Sequence, residues 1–246
     1  MGYFKEKAQA FSLHLLISIV IIGLFLWYAT SYWYPGTLFT LEQTWDGLKI
    51  LIPVDAILGP LLTFILFIPH KKSLKMDLSI VGLIQVAALC YGAWVIYQQR
   101  PVMITYNFNE FEVIIASEKI RENIPADTLQ KIPDQRILLT YALPPQTNEE
   151  LAHFVLESIP YQKQPSRQRA IRDYSDIIKN SAISLDSLSF EQVESADQLI
   201  SLRNSTRQNK NIIVAPLRGS LGNYTYVAVD LKQNKIIDFI NINLTK

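Results

Sequence analysis

Three apolar runs, residues 11–32, 49–68 and 78–97, follow one another at the start of this 246-residue chain. Roughly 20 apolar residues span a hydrocarbon core about 30 Å thick. No Asp, Glu, Lys or Arg occurs between Ala8 and Leu41, nor between Leu78 and Gln99. In lipid the backbone must satisfy its own hydrogen bonds, so such runs fold as spanning helices. The overall balance of 23 basic to 22 acidic residues points to no nucleic-acid partner. From Arg100 onward the chain carries 17 of each, as an ordinary soluble domain does. The expected architecture is a three-helix transmembrane domain over residues 1–99 and a soluble α+β domain with an antiparallel sheet over residues 100–246.

The loops orient these helices. Lys5 and Lys7 precede the first run, and His70-Lys-Lys-Ser-Leu-Lys75 joins the second to the third. Residues 34–46 between the first two runs hold no Lys or Arg. The positive-inside rule then puts the N-terminus in the cytoplasm and everything after Arg100 outside. Trp27, Tyr28, Tyr32, Trp33, Tyr34 and Trp45, with Trp94 and Tyr97, form an aromatic belt on the outer side. The first run is too long for a signal-peptide core and reads as an uncleaved anchor. The one cysteine, Cys90, lies in the third run and leaves the outer domain no disulfide.

The second run contains a chemical misfit. Asp55 lies in Ile50-Leu-Ile-Pro-Val-Asp-Ala-Ile-Leu-Gly-Pro-Leu-Leu-Thr-Phe-Ile-Leu-Phe67, between Pro53 and the pair Gly59-Pro60. A carboxyl at bilayer depth costs a few kcal/mol, and each proline removes a helix hydrogen bond. The run boundaries place Asp55 roughly 8–10 Å below the outer surface and Gln85 roughly 10–12 Å above the inner one, at 1.5 Å per residue. About 10 Å would then separate them, and a direct Asp55–His14 pair is not expected. Two readings stand for Asp55: a neutral acid hydrogen-bonded within the bundle, or a contact for a partner's transmembrane segment. His14 reads as an interfacial or helix-contact residue. His14, Thr63 and Gln85 are too few to line a proton path.

In the outer domain, alternation over residues 102–117 predicts a hairpin turning near Asn107 and Glu110. Apolar spacing predicts helices over residues 148–158, 167–180 and 195–206, the last capped by Ser195. Residues 212–216, 224–231 and 235–242 read as strands, the last two joined by Lys232-Gln-Asn-Lys. No phosphate-binding glycine loop, Gly-x-Ser-x-Gly or His-Glu-x-x-His is present. His153 is the domain's one histidine, so no histidine-rich metal site can be built there. The reading is of a protein with neither enzyme activity nor a cofactor.

Several segments resemble the type IV pilin accessory protein family of the FimB/TfpZ type. They are Val54-Asp-Ala-Ile-Leu-Gly-Pro-Leu-Leu-Thr63, Lys71-Lys-Ser-Leu-Lys-Met-Asp-Leu78, Gln85-Val-Ala-Ala-Leu-Cys-Tyr-Gly92 and Arg100-Pro-Val102, with His14-Leu-Leu-Ile-Ser18 and Trp33-Tyr-Pro35. A weaker likeness continues into Ala215-Pro-Leu-Arg-Gly219 and Val227-Ala-Val-Asp230. The resemblance implies a multi-pass protein of the Gram-negative inner membrane with a periplasmic C-terminal domain. It implies a non-catalytic chaperone or assembly factor, whose partners are a cognate type IV major pilin and other pilus assembly proteins. Asp55, Gln85, His14, Pro53, Gly59 and Pro60 are the candidate intramembrane contacts. The alternative is a membrane-anchored periplasmic ligand-binding or signalling subunit.

Overall fold

A computed structural model describes residues 3–157, 160–180, 182–185, 193 and 195–240, apart from the side chains of His153 and Glu157. The chain forms two compact units, one of residues 1–35 and 43–98, the other of Gly36–Glu42 with residues 99–246.

The first unit consists of three helices long and apolar enough to cross a membrane: Phe4–Trp33, Thr44–Leu66 and Leu74–Gln98, hereafter helices one, two and three. Most of their large apolar side chains face outward, as lipid-facing residues do. Helix two packs on both of the others, whereas helices one and three meet chiefly at one end. There Trp33 and Tyr97 stand edge to face, and the Tyr34 hydroxyl donates to the Ile96 carbonyl over 2.7 Å. Near the opposite end of helix one, Phe4 and Phe11 meet Phe64 of helix two edge to face.

The second unit is built on seven strands: β1 Pro101–Asn107, β2 Glu110–Ile115, β3 Leu138–Ala142, β4 Gln168–Ala170, β5 Ile212–Arg218, β6 Tyr224–Asp230 and β7 Lys235–Ile240. Their order is β4-β3-β1-β2-β5-β6-β7. The sheet is mixed, which corrects the expected antiparallel one: β1 runs parallel to β3, and β2 parallel to β5. Parallel partners need long crossover connections, which leave no mark in local alternation. β3 is buried along its whole length and so carries no two-residue alternation.

Local chemistry accounts for the hairpins. Phe108 and Asn109 both take positive φ between β1 and β2, matching the twist a two-residue turn requires. Residues 231–234 join β6 to β7, with Asn234 at φ 53°. The Ser195 hydroxyl accepts the Gln198 N–H and caps the helix Ala196–Gln208. The helix expected over residues 167–180 is instead β4, a 3₁₀ turn Ile171–Tyr174 and the short helix Ser175–Lys179. Gln168 decides this. Its buried amide oxygen accepts from Thr105 (3.0 Å) and Thr140 (2.7 Å), drawing residues 168–170 onto the edge of β3. Residue 158 and residues 241–242, the ends of an expected helix and strand, lie outside the described residues.

Gly36–Glu42, between helices one and two in sequence, is part of this second unit. Leu38 and Leu41 are buried against Ile104, Phe111, Leu217 and Val227 on one face of the sheet. Leu199 and Leu202 of the helix Ala196–Gln208 cover part of the other face with Val214 and Ala228. The segment is fastened to the β5–β6 turn. Ser220 donates its N–H (3.1 Å) and its hydroxyl to the Glu42 carboxylate, and Asn223 Nδ2 donates to the Leu41 carbonyl over 3.1 Å. Glycine at position 219 eases this approach, because a Cβ there would stand 3.0 Å from Glu42 Oε1 and 3.1 Å from the Leu41 carbonyl oxygen.

Burial pushes the Glu42 carboxyl above its ordinary 4.5, and the two Ser220 hydrogen bonds offset part of that rise. A raised folded-state pKa gives stability that is fully present below 4.5 and lost as pH rises through the folded value. Glu42→Gln keeps one oxygen to accept the Ser220 N–H, turns an amide N–H towards the Ser220 hydroxyl, and cannot ionise. Thermal unfolding of the full protein in detergent should therefore show a stability gain for Glu42→Gln that is largest at neutral pH and fades below 4.5. Equal gains at every pH would contradict this account of Glu42.

Candidate functional site

Helix two is not a continuous α-helix. Pro53 has no N–H to donate, and residues Val54–Leu58 form a π-turn in which the Gly59 N–H reaches back to the Val54 carbonyl. In a regular helix that N–H would serve Asp55. The next residue along, Pro60, has no N–H either. The Asp55 carbonyl is thus left without a donor from its own helix. Gln85 of helix three supplies one, with Nε2 3.5 Å from the Asp55 oxygen. That is a long bond, yet it answers a backbone group that lipid cannot solvate.

Gly59 makes the contact possible. A Cβ at position 59 would lie 1.7 Å from Gln85 Nε2 and 2.4 Å from its Cδ. Pro53, Gly59 and Pro60 therefore act together: the prolines shift the hydrogen-bond register, and the glycine admits the side chain that repairs it.

Gln85 lies beside Asp55, which corrects the expected offset of about 10 Å between them. The reason lies in the helix ends. Helix two begins at Thr44 and helix three at Leu74, each several residues before its apolar run. Asp55 and Gln85 each follow the first residue of their helix by eleven positions, so both sit near the middle of their spans. His14 bonds to Thr63 of helix two through Nδ1 over 2.6 Å, and no described bond joins it to Asp55.

The Asp55 side chain faces a cavity of about 170 Å³ lined by His14, Ile17, Ser18, Ile21 and Ile22 of helix one, and by Gly82, Gln85, Val86 and Leu89 of helix three. Asp55 is only 5% exposed. Among the described residues neither of its carboxyl oxygens has a hydrogen-bond partner, nor has Gln85 Oε1. Glu112, one of the buried acids of the second unit, differs: it accepts from Gln162 Nε2 (3.0 Å) and pairs with Arg218 Nη2 (2.9 Å). Glu112 is internal scaffolding, whereas the Asp55 carboxyl is left open. The sequence reading missed Ser18 and Gly82 as lining residues. Their signal is spacing, since 14, 17, 18, 21 and 82, 85, 86, 89 each trace one helix face. Among the described residues no three His, Cys, Asp or Glu side chains cluster as metal ligands.

These features describe a membrane-associated protein with three candidate spanning helices, a mixed-sheet domain and an uncompensated carboxyl between the helices. The chain is related in sequence to curated fimbrial assembly proteins of Dichelobacter nodosus. It is 28% identical over 135 residues to the serogroup I protein, covering 54% of this chain and 51% of that one. It is 28% identical over 124 residues to the protein of serogroups C1 and C2, covering 50% of this chain and 95% of that one. The serogroup E1 protein matches at 28% over 135 residues, 51% of its length. The match thus spans about half the length of the serogroup I and E1 relatives. No family model matches the chain, and no solved structure matches it.

The Gly59–Gln85 contact can be tested by a double-mutant cycle in reversible micelle unfolding. Gly59→Ala alone should destabilise the helical unit, because Gln85 is displaced and the Asp55 carbonyl loses its donor. In a Gln85→Ala background the same change should cost much less, a coupling of roughly 0.5–3 kcal/mol. Additive effects would show that the two residues do not meet.

Proposed function

We propose that this protein is an accessory factor for a type IV pilin, acting without covalent catalysis in pilus biogenesis. It resides in the Gram-negative inner membrane with its N-terminus in the cytoplasm and its sheet domain in the periplasm. Its partner in this reading is the cognate major pilin. The observation that carries the proposal is the open carboxyl of Asp55 in a chain whose relatives are named for fimbrial assembly. Bilayer-buried acids are expensive and tend to be kept for contacts.

The orientation is supported by the Lys-rich loop at 71–75 and by the absence of Lys and Arg from residues 34–46. Three spans put residues 36–42 and 99–246 on the same side of the bilayer by parity. The packing of Leu38, Leu41 and Glu42 in the domain core agrees with that sidedness. A subunit awaiting assembly in the inner membrane has an apolar helix in the bilayer and a globular head outside. A bundle joined to a periplasmic domain is suited to shielding both parts. Polar contacts between helices in lipid contribute roughly 0.6–2 kcal/mol each, enough to select a partner that must later be released.

Deletion of the gene in the organism that carries it should remove or sharply reduce surface fimbriae seen by electron microscopy. It should also lower membrane pilin on immunoblots, and the intact gene should restore both. Normal fimbriation and normal pilin levels in the deletion strain would refute the proposal.

A further inference from the structure

Helices one and three both pack on helix two and diverge away from their Trp33–Tyr97 end, so a groove runs between them. Its walls are Ile17 and Ile21 on one side and Val86 and Leu89 on the other. Ser18 and Gly82 keep part of each wall shallow, as at the close crossings of transmembrane helices. The floor is Asp55 beside Gln85. The unsatisfied polar atoms there, among the described residues, are all oxygens: both of Asp55 and the Oε1 of Gln85.

We propose that the groove receives one transmembrane helix of a partner protein, and that this helix presents a hydrogen-bond donor to Asp55. The naming of that partner as the fimbrial subunit rests on the function proposed above. The two walls each run for about two helical turns, roughly 10 Å of apolar side chain against which a helix can pack. An acyl chain would cover the apolar walls but offers no hydrogen bond, leaving a polar group uncompensated in hydrocarbon. A second copy docking through the same groove would bring a second Asp55 carboxyl towards the first. A donor-rich group such as an amino or carboxamide matches the floor, because several oxygens converge there and more than one can accept from it.

Gln85 is a positioning residue in this arrangement. Its Nε2 is committed to the Asp55 backbone, so it holds helix two unwound and keeps the carboxyl turned to the groove. Ile84 and Leu16 lie on the opposite faces of helices three and one and are 63% and 60% exposed. They serve as controls.

The test is site-specific photo-crosslinking of the full chain in native membranes, with the reactive residue at Ile17 or Val86, and at Leu16 or Ile84 as controls. Adducts should form from the groove positions, map to the apolar helix of the fimbrial subunit, and be weak from the control faces. Asp55→Leu should lower groove adduct yield roughly three- to thirtyfold, the loss of one interhelical polar contact. Asp55→Asn keeps an acceptor and should retain an intermediate yield, which guards against a folding defect in the leucine variant. Equal adducts from groove and control faces, adducts indifferent to Asp55→Leu, or adducts only with lipid or a second copy would each overturn the groove proposal. An Asp55-dependent groove adduct with the helix of another membrane protein would uphold the groove and reject the fimbrial-subunit reading. Subunit adducts confined to Leu16 or Ile84 would do the reverse.

Discussion

One orphaned carbonyl organises the helical unit. Between Pro53 and Pro60 the backbone of helix two shifts register, and the Asp55 carbonyl loses every donor its own helix could offer. In water a solvent molecule would repair this, but in hydrocarbon the repair has to come from protein. Gln85 provides it from helix three, and Gly59 clears the way. The bond fixes the depth and rotation of helix three against helix two, while His14 and Thr63 do the same for helix one. One Gln85 amide N–H goes to the backbone, while among the described residues neither carboxyl oxygen of Asp55 has a partner.

The second unit depends on a different economy. Its sheet is broad, and a face of Ile104, Phe111, Leu217 and Val227 needs a cover. Part of that cover comes from Leu38 and Leu41, contributed by seven residues far from the rest of the domain in sequence. Glu42 is buried with them, and Ser220 answers its carboxylate with an N–H and a hydroxyl. The domain is therefore incomplete without the segment between helices one and two.

Parts of this architecture are legible in the sequence and parts are not, for identifiable reasons. Membrane-length apolar runs have almost one folding solution, so three helices long and apolar enough to cross a membrane can be read directly. Asp55 and Gln85 stand out because polar groups are costly in lipid, and Gly59-Pro60 because proline interrupts the helix hydrogen bonds beside the acid. Their mutual geometry is harder to read. Helix two starts at Thr44 and helix three at Leu74, beyond the apolar runs, and that difference turns an apparent gap of about 10 Å into a contact. Hairpins show through alternation and turn residues, as at Phe108–Asn109. The parallel pairings of β1 with β3 and β2 with β5 do not, because each depends on chain far away. The insertion of Leu38 and Leu41 is hidden for the same reason: a short loop with two leucines looks like any interfacial loop.

The central claim is that the Asp55 carboxyl is held open for a donor on a guest helix. Difference infrared spectroscopy observes that group directly, comparing the reconstituted protein with and without the co-reconstituted fimbrial subunit. The account predicts that the carboxyl band of Asp55 shifts when the subunit is present, and that the shift vanishes in Asp55→Asn. A subunit that binds while the Asp55 band stays unchanged would contradict it.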